Sequence, residues 1–598
     1  MGSASVKGEG SANCIYLLKQ CGVVVGLALI IYLIFSNADM GYDFHWAVIY
    51  EKNQTYKEIF GLWLLRGLLL TIKISVISGL FALGLGTIFG IGRLSAFKPF
   101  NWLATCYVEL FRNTPLLVQM FFWYFAFPLM LPDPWVSFLN THNFEFAASV
   151  IGLSIYTGAY IAEIVRAGIQ SVPKGHTEAA VASGLSTVQT LRHVILPQAF
   201  RVIIPPLGSE FLNNMKNSSL AMTIGVAELC WQFQQIESFT FKGFEATTAA
   251  SAIYLALSLS ISLVMNSVGR HLKIGPAKKL NLFDIFLSKM VVPVLFLIRI
   301  LPGAMQYFTQ KLRTQTDEEK ELSATVSPLQ LFLNRVFVFL TMTFKGILLA
   351  VIISILVLSV KGLINFNWGV IKDNFLPLLI WIYPAGAETG EFFNGLGGLS
   401  ISFLMAVISI SVSFFIGLAV GIARLSKNPY INTPAVLYIE IIRGNPLILV
   451  IFWVYFFSPI ITGMDINVFW SATLAFIIFS GAYIAEIVRA GIQAIPPGQT
   501  EAAKASGLSG YQTMRHIVLP QALKLMIPAI VGQFITIFKD TSLAYIIGVF
   551  ELTTVSQTIS SRLMIYPFEF YITIGFLYFA CCYSMSLVAR KLERKYAD

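Results

Sequence analysis

Charge is what this sequence has least of. Of its 598 residues 12% are Asp, Glu, Lys or Arg and 56% are hydrophobic, whereas a soluble globular domain carries roughly twice that charged share. A soluble fold is excluded on that ground. The six cysteines (Cys14, Cys21, Cys106, Cys230, Cys581, Cys582) form no C-x-x-C pair and have no histidine at metal-ligand spacing, so neither a disulfide framework nor a zinc site is expected. No segment matches G-x-x-x-x-G-K-[S/T], which rules out ATP binding by a P-loop of this chain. A Ser/His/Asp set, an H-E-x-x-H motif and paired carboxylates in a soluble domain are missing too, so no catalytic residue and no metal ligand is assigned. His45, His142, His176, His193, His271 and His516 read as solvated or capping residues.

What is present is a series of apolar runs, each of about 20 residues, long enough to cross a bilayer. With mean hydropathy +0.73, the chain reads as an all-α, multi-pass membrane protein. Spans are expected near 20–36, 66–92, 112–131, 147–169, 202–225 and 247–269, then near 336–360, 399–423, 440–462, 470–492, 524–548 and 569–589. Arg93, Lys98, Lys174, Arg192, Arg270, Lys273, Lys278 and Lys279 fall on one side, with Arg590, Lys591, Arg594 and Lys595. The opposite loops at 132–146 and 463–469 hold Asp133, Glu145 and Asp465 but no Lys or Arg. The basic side is therefore expected to be cytoplasmic, with both termini there. The apolar stretch 284–304, interrupted by Lys289, Pro293 and Arg299, reads as an interfacial or re-entrant element, and the polar run 309–327 as a linker. The expected domains are thus 1–283, a connecting segment 284–335, and 336–598.

The chain repeats itself. Residues 158–199 recur at 481–522 with a constant offset of 323, and the first thirteen positions, from Gly-Ala-Tyr-Ile-Ala-Glu-Ile-Val-Arg onward, are identical. Two homologous halves are fused end to end. An even number of spans per half makes the repeats parallel, unlike the inverted repeats of many secondary transporters. Each copy joins an apolar run to a small-residue segment. Thr177 before Glu178-Ala179-Ala180, and Thr500 before Glu501-Ala502-Ala503, read as helix starts with a capping hydroxyl and an acid in the first turn. Gly184 and Gly507 then permit a turn into a second helix ending at Pro197 and Pro520.

The pattern E-A-A-x-x-x-G-x₉-[I/V]-x-L-P, with Val194 and Ile517 at its variable apolar position, resembles the cytoplasmic signature of permease subunits of bacterial ABC importers. Tyr107-Val-Glu-Leu-Phe-Arg-Asn-Thr-Pro and Tyr438-Ile-Glu-Ile-Ile-Arg-Gly-Asn-Pro resemble the polar amino-acid branch, closest to glutamate/aspartate and general L-amino-acid permeases. The resemblance implies two tandem six-helix type I (MetI-like) transmembrane domains related by a pseudo-two-fold axis, here as two subunits in one chain. It implies that Glu178, Ala179, Ala180 and Gly184, and Glu501, Ala502, Ala503 and Gly507, form coupling helices. Each would sit on a separate ABC ATPase subunit. Two such subunits would carry the ATP and magnesium, none being bound by this chain. A periplasmic or lipid-anchored amino-acid-binding protein would deliver the solute at a bacterial inner membrane, and no nucleic acid is implied.

Ionisable residues within spans are the remaining signal. Lys216, with Asn214 and Ser219, is matched by Lys539, with Asp540 and Ser542. These read either as a solute pathway or as packing pairs, Lys216 with Glu210 and Lys539 with Asp540. Glu163 and Arg166, like Glu486 and Arg489, stand three apart on one helix face. They read equally as sites for a solute ammonium or as structural pairs. The alternative to an importer is an ion-coupled carrier or channel gated by the repeated loops.

Overall fold

The computed structural model describes residues 19–27, 29, 42–141, 143–185, 187–272, 360–382, 396–563 and 566–597, with isolated positions from 342 to 357. The interfacial element expected at 284–304 and the linker at 309–327 lie outside the described residues, as do much of the spans expected near 20–36 and 336–360. The described part of the first half runs through α1 (Phe60–Gly92), α2 (Lys98–Arg112), α3 (Leu116–Phe121), α4 (Asp133–Thr141), α5 (Phe144–Gln170), α6 (Lys174–Ala182), α7 (Leu196–Asn217), α8 (Leu229–Thr240) and α9 (Gly243–Leu272). The second half runs through α10 (Trp368–Leu379), α11 (Leu399–Arg424), α12 (Pro429–Gly444), α13 (Leu447–Thr462), α14 (Val468–Gln493), α15 (Pro497–Ala505), α16 (Leu519–Asp540), α17 (Leu552–Leu563) and α18 (Pro567–Ala597). The described strands are a two-residue antiparallel pair, Trp381–Ile382 with Leu396–Gly397.

Seven described helices are long and apolar enough to cross a membrane, and an eighth candidate is the bent pair α12–α13. Two departures from the sequence expectation have one cause, proline. The third spans do not run through 112–131 and 440–462. Each breaks at an Asn-containing turn before a proline, Pro115 (ψ 141°) and Pro446 (ψ 144°), which are extended and start α3 and α13. Proline has no N–H to extend a helix, and its ring drives the preceding residue out of helical geometry. The bend between α12 and α13 is 111°. The first half's fifth segment, α7, is not among the seven, whereas its counterpart lies in one of them, Gly510–Ile547.

The described residues fall into two compact units, divided at 70/71, 218/219, 258/259 and 372/373. Residues 219–258 of the first half thus belong with the second half. The reason is packing: Phe233 of α8 meets Phe452 of α13 edge-on at 5.2 Å, and the Ser258 hydroxyl of α9 donates to the Gly444 carbonyl at 2.6 Å.

Each unit is built round one central helix, α5 or α14. Two-thirds of the span window of each is buried, against a third or less for the other spans. Lipid supplies no hydrophobic drive between helices, so close van der Waals contact must hold them. Gly86 on α1 provides it: a Cβ there would lie 2.5 Å from Ile161 of α5. Gly417 on α11 lies the same way under Ile484 of α14, again at 2.5 Å. The Tyr107 hydroxyl of α2 donates to the Ile155 carbonyl of α5 (2.7 Å), and Tyr438 of α12 to Ile478 of α14 (2.5 Å). These contacts hold the middle of α5 and α14 against their neighbours. Gly86→Leu should lower the thermal midpoint of the detergent-solubilised protein by several degrees, read by size-exclusion after heating. Gly84→Leu, two residues away with nothing within 4 Å of its added carbon, should leave it nearly unchanged.

Candidate functional site

The loops leaving α5 and α14 have the same conformation. α6 begins at Lys174 after Pro173, and α15 at Pro497 after Pro496, with no side-chain cap at either start. This corrects the expectation of Thr177 and Thr500 as capping starts. Proline preset at the helix entrance opens the helix three residues earlier, placing Glu178 and Glu501 in the second turn. Glu178 and Ala179, with Glu501 and Ala502, are exposed, whereas Ala180 and Ala503 face inward, each 6% exposed. A small-residue surface carrying one carboxylate therefore faces outward in each copy.

Each helix stops at a glycine that must be one. Gly184 has φ +79° and Gly507 φ +83°, the left-handed region where a side chain is penalised. The Leu185 N–H returns to the Ala180 carbonyl and the Leu508 N–H to Ala503, both at 3.1 Å. A short turn follows, then a five-residue π-turn, Leu191–Ile195 in one copy and Met514–Val518 in the other. Such wide turns are rare and tend to mark functional sites. Pro197 and Pro520 do not end a second helix, as expected, but lie in the first turn of α7 and α16, where the missing N–H costs nothing.

Above each loop lies a matched knot of ion pairs. The Glu163 carboxylate binds the guanidinium groups of Arg93 and Arg166, and Arg93 also approaches Glu109 at 3.8 Å. In the second half Glu486 binds Arg424, Arg489 (2.9 Å) and Arg443 (3.6 Å), and Arg424 meets Glu440 at 3.3 Å. Burial draws the Arg93 guanidinium down from its ordinary value, and Glu163 opposes that. An arginine stays charged regardless. Arg112 and Arg443 lie over the rings of Tyr160 and Tyr483, each at 5.1 Å. These carboxylates are committed to arginines, which favours the structural side of the two readings of Glu163–Arg166 and Glu486–Arg489.

The remaining pathway candidates lie elsewhere. Asn214 (1% exposed) accepts from Thr157 (3.0 Å) and Ser78 (3.3 Å), and donates to the Ser75 carbonyl (2.9 Å), tying α7 to α5 and α1. The second half has Ile537 there. Glu210 accepts from Asn213 at 3.4 Å. Lys216 is half-buried and Lys539 buried. Ser219 and Ser542 are each 1% exposed, and the Ser542 hydroxyl donates to the Lys539 carbonyl at 2.7 Å.

One matched pair escaped the sequence reading. Glu228 and Glu551, both fully buried, cap α8 and α17 and accept from Tyr254 (2.8 Å) and Tyr578 (3.0 Å). The signal was available: Ile-Gly-Val-x-Glu-Leu stands at 224–229 and again at 547–552, at the offset of the loops.

A family model described as "Binding-protein-dependent transport system inner membrane component" matches residues 82–274 and 413–598. The chain belongs to that family. Among proteins similar to this transport component is the glutamate/aspartate import permease protein GltJ of Escherichia coli, 37% identical over 39% of this chain and 97% of its own length. Another is the probable glutamine ABC transporter permease protein GlnP of Bacillus subtilis, 42% identical over 33% of this chain and 90% of its own. A solved structure titled as an amino acid ABC transporter with histidines is 35% identical over 33% of this chain and 92% of that one, with TM-score 0.31. The two matched segments give this transport component the family's domain twice. Glu163→Gln should lower its stability by about 2 kcal/mol, since it leaves two part-buried arginines facing a neutral amide. Glu486→Gln should do the same, and thermal unfolding of the two variants checks both.

Proposed function

We propose that this chain is the complete translocation unit of an amino-acid ABC importer in a bacterial inner membrane, with both termini cytoplasmic. The observation that carries it is the pair of loops. Two small-residue helices, each with an exposed Glu and ended by a positive-φ glycine, hang from identically braced spans in a chain with no P-loop. Such handles suit a separate protein that supplies the ATP chemistry. Two ATPase copies would dock, one on Glu178–Gly184 and one on Glu501–Gly507, and ATP-driven closure would rock the halves so that solute is exposed to each side in turn.

The binding-protein dependence in the family's description supports delivery by an external solute-binding protein. Relatives named for glutamate/aspartate and glutamine support amino acids as the class. In this reading Glu163, Arg166, Glu486 and Arg489 brace the loops. The solute path is left to the region of Lys216 with Asn214 and Ser219, and of Lys539 with Asp540 and Ser542. An ion-coupled carrier would not need paired docking helices, and no described feature favours it.

Glu178→Arg combined with Glu501→Arg should abolish co-purification of the ATPase and amino-acid uptake, while the variant still elutes as a folded monodisperse protein. The substituted side chains are exposed, so the fold is not at stake. Wild-type ATPase recovery in the double variant would contradict the docking role.

A further inference from the structure

Three basic residues recur beyond each docking helix. Arg192 and His193 lie in the first π-turn, and Arg201 follows in the opening turns of α7. Arg515, His516 and Lys524 hold the same places in the second half, each at the offset of 323. All six are exposed. The arginines of the neighbouring spans, Arg93, Arg166, Arg424 and Arg489, are each bound to a carboxylate. None of the six has an acidic partner among the described residues, and Arg515 donates to the Tyr511 hydroxyl at 3.0 Å instead. At the third position Arg201 answers Lys524, so the repeat keeps a positive charge there and not the shape of a guanidinium.

Their depth decides what can meet them. The helical run Gly510–Ile547 is one of the seven candidate spans. Lys524 stands 23 residues before Ile547, roughly 35 Å along the axis, against a hydrocarbon core of roughly 30 Å. A span whose far end reaches the opposite surface therefore sets Lys524 among the headgroups, and the repeat gives Arg201 the same level. The next residues, Val202 and Leu525, are 49% and 50% exposed. On a span such apolar side chains are covered by acyl chains, while a cation one residue nearer the loop reaches up to the phosphates. A cytosolic partner seated at Glu178 or Glu501 meets the loop; the level of Arg201 and Lys524 belongs to the bilayer.

We propose that each half binds the phosphodiester of an anionic phospholipid of the cytoplasmic leaflet, through Arg192, His193 and Arg201 in the first half and Arg515, His516 and Lys524 in the second. Lipids with an ammonium of their own offset these cations less well, so a net negative headgroup is preferred. Each π-turn also packs against the docking helix of its own half. A bound headgroup thus holds that helix from the membrane side, opposite the brace that Glu163 or Glu486 supplies. The proposal rests on the cytoplasmic placement of the loops given above and adds a lipid partner to it. Its test uses neither ATPase nor amino acid, so it can fail while the importer reading stands.

The full chain, delipidated in detergent, is titrated with phosphatidylglycerol or with phosphatidylcholine of the same acyl chains, and bound lipid is counted by native mass spectrometry. Two phosphatidylglycerol molecules should bind per chain at least tenfold more tightly than phosphatidylcholine, and should raise the thermal midpoint. Arg192→Gln with Arg201→Gln should remove one of the two, and Arg515→Gln with Lys524→Gln the other. Each double change should weaken its site about thirtyfold, the effect of two charges near an anionic surface. Lys524→Arg, which copies the first half, should bind as wild type does. The substituted side chains are exposed, so the variants should match the lipid-free wild type in thermal midpoint. Equal binding of the two lipids by wild type, or unchanged phosphatidylglycerol binding in the fourfold variant, would overturn the proposal. Displacement of the lipid by millimolar inorganic phosphate would show a site for free phosphate and overturn it as well. A fourfold variant that keeps its lipid but no longer recovers the ATPase would assign the patch to that partner instead.

Discussion

An isoleucine laid directly on the backbone of a glycine sets the geometry of each unit. Helices in lipid gain little from excluding water from one another, so they are held by how closely they approach and by the polar groups they share. Gly86 beneath Ile161, and Gly417 beneath Ile484, bring a long peripheral span against the central one. From that contact the rest follows in order along α5 and α14. Two residues further on, the Glu at 163 or 486 meets arginines at the ends of α1 and α11. About two turns beyond that, the helix ends, and the chain passes a proline and enters the exposed small-residue helix. In the proposed coupling, a docking helix transmits force only if its root is rigid, and packing and charge hold that root at successive levels.

The two halves are alike in some places and unlike in others. The loops share their prolines, their inward alanines, their left-handed glycines and their π-turns. In the proposed docking, both fit the same kind of partner. The interiors have diverged. Asn214, held by Ser75, Ser78 and Thr157, corresponds in the repeat to Ile537, and Phe233 corresponds to Ser556. Nothing obliges the two halves to bind alike when one chain encodes both. A gene for a homodimeric subunit would lack that freedom.

Much of this was legible in the sequence, and the omissions have physical causes. The repeat, the membrane class and the exposed carboxylates of the loops are local patterns, carried by runs of adjacent residues. The helix starts were misread because a Thr before Glu looks like a cap, while the proline three to four residues earlier already supplies the entrance. The third spans were drawn straight because their composition stays apolar across Pro115 and Pro446, and hydropathy does not register a missing N–H. The arginine partners of Glu163 and Glu486 were invisible for another reason. Arg93 lies 70 residues from Glu163, and i,i+3 spacing reveals only Arg166 and Arg489. Glu228 and Glu551 were available from the repeat but are single acids in apolar surroundings, and their tyrosine partners follow 26 and 27 residues later.

The central claim is that one chain presents two equivalent handles and so forms a whole pore. Native mass spectrometry of the complex, purified through a tag on this chain and co-expressed with its ATPase, tests it most directly. One copy of the chain with two copies of the ATPase is the composition predicted. Two copies of the chain in each assembly, or a single ATPase at saturation, would contradict it.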